Sequence, residues 1–326
     1  MKNSIVFAFT LLSCVLIAFA GEVSVVKVDA HQRYPWNGKV DIVLTLYGQS
    51  DKIADTKCYF VATNSVTKEA IPVTHIKQNG SDSGSGTKWI RKFVWDCAAD
   101  AGEVKIDDIA LTVEALWCVQ LWENGPYWAK CNLGASKPEE YGYYFWWGDT
   151  IGYKRNASNN GWVSIKDGSS FEFGSSNCPT SGKSNSELLS AGYIDSSGNL
   201  ATAHDAATAH LGAPWRMPTS DEMGDLLSNC YTTWTTRNDV YGRLVTGRGA
   251  YSSKSIFLPA AGDGFGSDLY SLGSFGEYWF STPRSDDSDY TWYLRFLSGN
   301  YGYMIGRSYN YRFFGLSVRP VLGFAK

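Results

Sequence analysis

Residues 21 to 116 alternate apolar and polar positions, which is typical of strands that bury one face. The apolar positions recur at every second residue, at Ile42, Leu44, Leu46 and again at Ile109, Leu111 and Val113. Turn-rich breaks at 36–38 and 79–86 separate these runs, and no helical stretch of useful length occurs between them. We therefore expect this segment to form an antiparallel β-sandwich.

The hydrophobic period changes at Thr219. Pro218 disfavours a helical conformation of the residue before it, and Thr219 with Glu222 three positions later can form a capping box. An apolar stripe at helical spacing follows, consisting of Met223, Leu226 and Leu227. These features predict a helix that begins after Thr219 and buries one face.

Shorter elements are expected around this helix. A second helix is predicted from Thr202 to Leu211, with Thr202 as its cap and Gly212 as its terminator. Residues 149–200 are rich in Ser, Gly and Asn, and we expect long loops or a flexible insertion there. Strands are expected at 255–258, 290–297 and 316–321.

The composition indicates a folded protein. A hydrophobic content of 44% and an aromatic content of 15% over 326 residues suit about two globular domains. A formal net charge of −3 gives no reason to expect nucleic acid or an anionic membrane as the partner. The many aromatic residues of 117–148 are interpreted as core filling in preference to carbohydrate stacking, because aromatic side chains bury the most area per residue.

Residues 1–20 are predicted to be a secretory signal peptide. A mostly apolar run from 5 to 18 follows Lys2, and Ala18-Phe19-Ala20 has the small-x-small pattern of a cleavage site. The run is too short for a comfortable membrane span, and no other segment approaches about 18 apolar residues. We therefore expect a secreted or cell-surface protein cleaved after Ala20, with a lipoprotein anchored at Cys14 as the alternative.

The cysteines suggest disulfides. Removal of the predicted signal peptide takes one of the 7 cysteines and leaves Cys58, Cys97, Cys118, Cys131, Cys178 and Cys230. An even number in an exported chain favours disulfide bonds, and the preferred pairs are Cys58 with Cys97 and Cys131 with Cys230, although the sequence alone cannot choose the pairing. No CxxC spacing occurs, so a structural zinc site is not expected.

Several motifs in the rest of the chain resemble a known family. Trp215-Arg216-Met217-Pro218-Thr219 is similar to a signature of formylglycine-generating-enzyme-like domains. Further motifs lie at 129–135, 141–148, 255–262, 278–282 and 317–321. In this order, over residues 117–326, they resemble the Fibrobacter succinogenes major paralogous domain family.

The resemblance implies a C-type-lectin-like (formylglycine-generating-enzyme-like) fold on secreted or surface proteins. The expected fold class is therefore α+β. Its expected parts are a signal peptide at 1–20, an all-β sandwich domain at 21–116 and the C-type-lectin-like domain at 117–326.

Formylglycine generation itself is not expected. That reaction uses a copper-bound pair of cysteines, which in the family lie close to the C-terminal strand. No cysteine follows Cys230 in this chain. His204 and His210 flank Asp205 but do not share a helix face, so these three are interpreted as cap and surface residues.

No cofactor is expected, with calcium as the one open candidate. Asp263 and Asp268, together with Ser267, lie in a glycine-rich segment and could supply oxygen ligands. The segment matches neither the EF-hand pattern nor the paired-carboxylate motif of calcium-dependent lectins. We interpret it as a glycine-rich turn.

Residues 298–314 concentrate Tyr, Asn, Ser, Gly and Arg, which adaptable binding surfaces favour. Tyr supplies a large, rigid contact area at low entropic cost, and the other residue types adapt their hydrogen bonds. The predicted ligand-binding residues are Tyr301, Tyr303, Arg307, Tyr309, Tyr311 and Arg312. The alternative is an ordinary tyrosine-rich hairpin.

These observations together predict a non-catalytic binding protein whose partner is a glycan or a protein outside the cell. Two alternatives stay open. A divergent enzyme of the formylglycine-generating superfamily would need a concave pocket with converging carboxylates or a metal, whereas a structural surface-coat protein would be closely packed and bind no ligand. The sequence specifies neither the ligand nor the oligomeric state.

Overall fold

A computed structural model describes residues 23–33, 37–102, 108–158, 160–285, 289–298 and 305–322. The first strands of the chain are β1 (Val23–Gln32), β2 (Lys39–Gly48), β3 (Thr56–Asn64), β4 (Ala70–Ile71), β5 (Ile76–Gln78), β6 (Ser83–Ser85), β7 (Lys88–Asp96) and β8 (Ile109–Gln120). Two helices of five residues each lie among them, α1 (Ser50–Ala54) and α2 (Cys97–Ala101).

The later strands are mostly shorter. They are β9 (Tyr127–Ala129), β10 (Tyr144–Phe145), β11 (Tyr153–Arg155), β12 (Trp162–Ser164), β13 (Ser170–Phe171), β14 (Trp215–Arg216), β15 (Cys230–Arg237), β16 (Val240–Gly247), β17 (Ser255–Pro259), β18 (Asp263–Phe265), β19 (Asp268–Tyr270), β20 (Phe275–Pro283), β21 (Tyr290–Leu297), β22 (Ile305–Tyr311), β23 (Leu316–Ser317) and β24 (Val321–Leu322). The helices of this part are α3 (Asn185–Ser190), α4 (Ala206–Leu211) and α5 (Ser220–Asn229), with 3-10 turns at Ser175–Asn177, Thr202–His204 and Gly249–Tyr251.

The predicted α+β fold class is wrong, because the described residues are mostly β-strand. Five sheets account for the architecture, and the longest helix among the described residues, α5, has 10 residues. The α+β class was taken from the family resemblance. The two-residue strands β10, β14, β23 and β24 have too few residues to show an alternating pattern, so the sequence pattern could not correct it. None of the helices within the described residues has the length and apolar composition of a membrane span.

The first part of the chain consists of two antiparallel sheets around one core. One sheet has the order β1-β2-β7-β5, with β6 also paired to β7, and the second runs from β8 through β3 to β4. The alternating residues of β2 point into the core as their period predicts, with Ile42, Leu44 and Leu46 fully buried. Ile109 and, less deeply, Leu111 approach them from β8.

A single strand joins the two parts of the chain. β8 pairs with β3 from Ile109 to Trp117 and then with β9 from Cys118 to Gln120. The predicted boundary between residues 116 and 117 therefore lies inside one continuous strand. Asp55 reinforces the junction, because its carboxylate lies 2.7 Å from Lys130 Nζ and 2.9 Å from Lys254 Nζ.

The helix predicted after Thr219 is confirmed. Thr219 Oγ1 accepts a hydrogen bond from the Glu222 amide, and the Glu222 carboxylate accepts one from the Thr219 amide, which completes the capping box. Met223 and Leu226 are buried against β20 and β21. The other predicted helix begins later than expected, because Asp205 and not Thr202 caps α4.

An eight-stranded sheet of order β13-β12-β11-β10-β23-β20-β21-β22 carries the rest of the core. The aromatic residues Trp128, Trp147, Tyr144 and Phe145 are buried, which confirms core filling for these members of 117–148. The flexible insertion expected at 149–200 is wrong in part. Trp162 and Phe173 of that segment are each 1% exposed, so apolar burial holds it in place despite its polar composition.

The expected disulfides are not formed, and all six cysteines within the described residues are free. Cys58 Sγ instead accepts a hydrogen bond from Arg91 Nη1 at 3.7 Å, while Cys97 is buried in the same core. Cys230 packs in the core beneath α5. Burial raises the pKa of the Cys131 and Cys230 thiols to about 11, so both stay protonated at neutral pH.

Arg319 is a buried side chain of the second part with hydrogen bonds to several segments. It is 1% exposed, and burial lowers the pKa of its guanidinium. Its five N–H donors reach acceptors on separate segments of the chain: Asn132 Oδ1 at 2.7 and 3.0 Å, the Ala129 and Lys130 carbonyls, and the Phe257 carbonyl at 2.8 Å.

We predict that Arg319→Ala lowers the free energy of unfolding by about 3–5 kcal/mol, since it leaves several buried acceptors without donors. Urea denaturation followed by tryptophan fluorescence measures this. Arg33→Ala is the control, because Arg33 and its ion-pair partner Asp41 are both partly exposed, so its loss should cost much less than the loss of Arg319. Equal losses in the two variants would contradict the prediction.

Candidate ligand-binding surface

The β21–β22 hairpin places aromatic side chains on one face. Tyr290 lies opposite Tyr311 in the ladder, and Trp292 lies opposite Tyr309. Because side chains alternate across a strand, these four share a face of the sheet. The residues between them, including Thr291 and Tyr293, point to the other side.

The rings continue beyond the hairpin as an unbroken band, which we call the aromatic surface. Its members are, in spatial order, Trp292, Tyr309, Tyr290, Tyr311, Phe313, Phe314 and Phe265. Neighbouring ring centroids lie between 4.3 Å, for Tyr290 and Tyr311, and 6.2 Å, for Trp292 and Tyr309. Each ring is therefore within the contact range of aromatic pairs.

Three rings of the aromatic surface are well exposed. Tyr309 is 49% exposed, Phe265 44% and Tyr311 37%. Their apolar area is only partly withdrawn from water, whereas Tyr278 and Trp279 on the adjacent strand β20 are fully buried. The band is thus a surface feature and not a continuation of the core.

Two arginines border the aromatic surface. The guanidinium of Arg284 lies 4.1 Å from the centre of the Tyr309 ring and 5.7 Å from that of Trp292, which is a cation–π arrangement. Arg307 is exposed on β22, and its Nη1 donates to the Ser220 hydroxyl at the start of α5, 3.2 Å away. Both place positive charge beside the exposed rings.

The predicted ligand-binding residues do not all come together. Arg307, Tyr309 and Tyr311 lie on the exposed face, whereas Tyr301 and Tyr303 lie outside the described residues. Arg312 is fully buried. Its guanidinium stacks over Trp147 at 5.2 Å and donates to the Thr180 and Lys183 carbonyls, so it holds the 180–183 segment in place and does not reach the surface.

Sequence reasoning missed five members of the aromatic surface: Phe265, Tyr290, Trp292, Phe313 and Phe314. The alternating strand predicted at 290–297 already puts Tyr290 and Trp292 on one face. What the sequence does not show is that this strand pairs with β22 in the register that brings them against Tyr309 and Tyr311.

A second polar cluster lies inside the structure at Glu277. Glu277 is 4% exposed, its Oε1 lies 3.4 Å from Arg295 Nε, and Tyr293 donates its hydroxyl to the same oxygen at 3.5 Å. Oε2 has no hydrogen-bond partner among the described residues. Desolvation, with a smaller contribution from Asp263, raises the pKa of Glu277 to about 7.

Asp263, which we considered as a calcium ligand, belongs to this buried cluster. Its side chain is largely buried, and desolvation raises the pKa of its carboxyl to about 6, whereas Asp268 is exposed. No group of three or more His, Cys, Asp or Glu side chains suited to a metal occurs in the part of the chain that the structure describes.

The two histidines take structural positions. The His204 ring packs against Tyr193 with centroids 4.0 Å apart, and a ring nitrogen of His210 lies 3.1 Å from the Thr150 carbonyl. Asp205 between them is the N-cap of α4 in place of the predicted Thr202, and its carboxylate accepts hydrogen bonds from the Thr208 and Met217 amides. Burial lowers the pKa of both histidines.

Comparison with known proteins adds no further assignment: no family model, no curated protein and no solved structure matches this chain.

We predict that Glu277→Gln reduces the pH dependence of stability. The pKa of Glu277 is about 7 in the folded protein against an ordinary value of 4.5. The folded state therefore holds a proton that the unfolded state has released, and stability falls as pH rises from about 4.5 to about 7, by up to about 3 kcal/mol.

Urea denaturation across this pH range tests the effect. Asp263→Asn is the companion variant, since the pKa of Asp263 is also raised, and the double variant should have the weakest pH dependence of the set. A Glu277→Gln protein whose stability falls with pH as steeply as the parent's would contradict the prediction.

Proposed function

We propose that this chain is a non-catalytic binding protein of the cell exterior and that the aromatic surface contacts its ligand, a glycan or a protein. The observation that carries the proposal is the exposure of Tyr309, Phe265 and Tyr311 within a continuous band of rings. Contiguous exposed apolar area is characteristic of interaction sites.

The arrangement of Arg284 supports a binding role. A guanidinium stacked on Tyr309 restrains that ring in the free protein. A ligand then loses less conformational freedom on the protein side when it packs there. Tyr, Trp and Arg are also the residue types that contribute most to binding energy at protein interfaces.

The two alternatives make different demands on the structure. For an enzyme, the Glu277 and Asp263 carboxyls are the best candidates, but with 4% and 9% exposure they offer a substrate little direct contact. A surface-coat protein would have no use for a continuous band of partly exposed rings. Both considerations favour binding.

We predict that the double variant Tyr309→Ala, Tyr311→Ala weakens ligand binding by about tenfold or more, because it removes two large contact areas from the surface. The purified protein is first screened on a glycan array and against a displayed library of random linear peptides. Affinities of the selected ligands are then measured by calorimetry.

Tyr231→Ala is the matched control. Tyr231 is 63% exposed and also lies beneath an arginine, with the Arg248 guanidinium 4.6 Å from its ring, but it is on β15, outside the aromatic surface. Its substitution should leave binding unchanged. Absence of any ligand in both screens, or equal losses in the control and the double variant, would count against the proposed function.

A further inference from the structure

β22 is the last strand of the eight-stranded sheet in its order of pairing. It has seven residues, and Arg307, Tyr309 and Tyr311 are exposed while the residues between them are half-buried. A strand in this position presents one row of backbone N–H and C=O groups to its neighbour β21 and a second row outwards. The outward row can therefore be identified from the hydrogen bonds.

Two hydrogen bonds fix which residues face outwards. The Arg312 amide donates to the Asp289 carbonyl at 3.0 Å, so these two opposite residues form a hydrogen-bonded pair. Hydrogen-bonded and non-hydrogen-bonded pairs alternate along an antiparallel ladder, so the adjacent pair, Tyr311 and Tyr290, is not hydrogen-bonded across the ladder. In agreement, the Tyr311 amide donates to its neighbour's side chain, Asn310 Oδ1, at 2.9 Å. By alternation, Arg307 and Tyr309 also direct their N–H and C=O groups away from β21.

The outward groups of Arg307 and Tyr309 have no hydrogen-bond partner within the described part of the chain. Their spacing is that of every second residue in a strand, about 6.6 Å, which is the repeat of another extended polypeptide. Glycans have no backbone with this donor and acceptor repeat. The edge thus favours a polypeptide over a sugar chain.

The side chains beside this edge define the chemistry of a strand placed there. Residues opposite Arg307 and Tyr309 would extend over the same face as these two, and so over the aromatic surface. Among the described residues, the Arg307 guanidinium donates to the Ser220 hydroxyl. A carboxylate opposite it gives a charge-assisted hydrogen bond, and an apolar or aromatic side chain opposite Tyr309 gives ring contact.

We propose that β22 accepts an extended polypeptide segment as an added strand. The segment carries an acidic residue opposite Arg307 and an aromatic or apolar residue opposite Tyr309, two positions apart. Backbone hydrogen bonds to Arg307 and Tyr309 give the affinity, and the alternating side chains give the specificity. This proposal rests on the proposed function and names the ligand class for the same surface.

The first experiment uses the displayed library of random linear peptides and the full-length protein. Selected peptides should share an acidic residue and an aromatic or apolar residue two positions apart. One such peptide is then resynthesised with a single N-methyl group at each position in turn. Strand addition predicts loss of affinity at every second position, because only alternate amides of the added strand bond to β22.

The second experiment compares Arg307→Ala with Arg307→Pro. Both variants remove the guanidinium, but only proline removes the outward N–H, and no ladder bond to β21 is lost because that N–H points away. We expect the proline variant to bind the selected peptide at least about tenfold more weakly than the alanine variant. Circular dichroism and thermal unfolding check that both variants fold; if the proline variant does not, the N-methyl scan decides.

The outcomes separate the two proposals. If the tyrosine variants weaken binding but the N-methyl scan shows no period of two, the aromatic surface binds and strand addition is wrong. Strand addition is also wrong if the screens select glycans but no peptides. It is wrong as well if sedimentation detects a dimer that Arg307→Pro abolishes and that the peptide does not displace. If neither screen yields a ligand, both the proposed function and strand addition are wrong.

Discussion

The second part of the structure depends on a buried guanidinium that has no carboxylate among its described hydrogen-bond partners. Arg319 is desolvated, which costs several kcal/mol for a charged group, and the hydrogen bonds it donates offset that cost. Its acceptors belong to the end of β9, to the segment that follows it, and to β17. These hydrogen bonds hold the three segments against one another, and β9 and β17 belong to two different sheets.

Tyrosine and tryptophan side chains fill the core at some positions of this chain and are exposed at others. The position of their strand in the sheet decides which. Trp279 and Tyr278 on β20 lie in the middle of the eight-stranded sheet and are fully covered. Tyr309 and Tyr311 lie at its edge, where only one neighbouring strand is available to cover them. A high aromatic content alone therefore says little about binding, and the edge position of β22 is what makes its tyrosines available.

Features that depend on near neighbours could be predicted from the sequence, and features that depend on distant ones could not. The capping box of Thr219 and Glu222 and the alternation of β2 involve residues a few positions apart, and both are confirmed. Tyr309 and Arg307 were selected by local composition and are exposed, but Arg312 was selected by the same composition and is buried. Five positions along an extended chain separate Arg307 from Arg312, so the two point to opposite faces. Local composition does not show that residues 180–183 cover one of those faces.

The environment of the buried Glu277 and the fold class also depend on residues that are distant in the sequence. A lone carboxylate within the apolar run of β20 is visible in the sequence, but its contacts with Arg295 and Tyr293 arise from the pairing of β20 with β21. The fold class was wrong for a related reason, since two-residue strands such as β23 and β24 are created by their partners and have no pattern of their own.

The continuous strand β8 has a mechanical consequence. Its backbone belongs to the ladder with β3 at one end and to the ladder with β9 at the other, so no hinge residue lies between the two parts. Tension applied to the first sheets is carried along a covalent strand into β9 and shared among hydrogen bonds in parallel. The two parts consequently resist a pulling force together. A force applied to one part strains the sheet of the other, because no flexible linker between them can extend first.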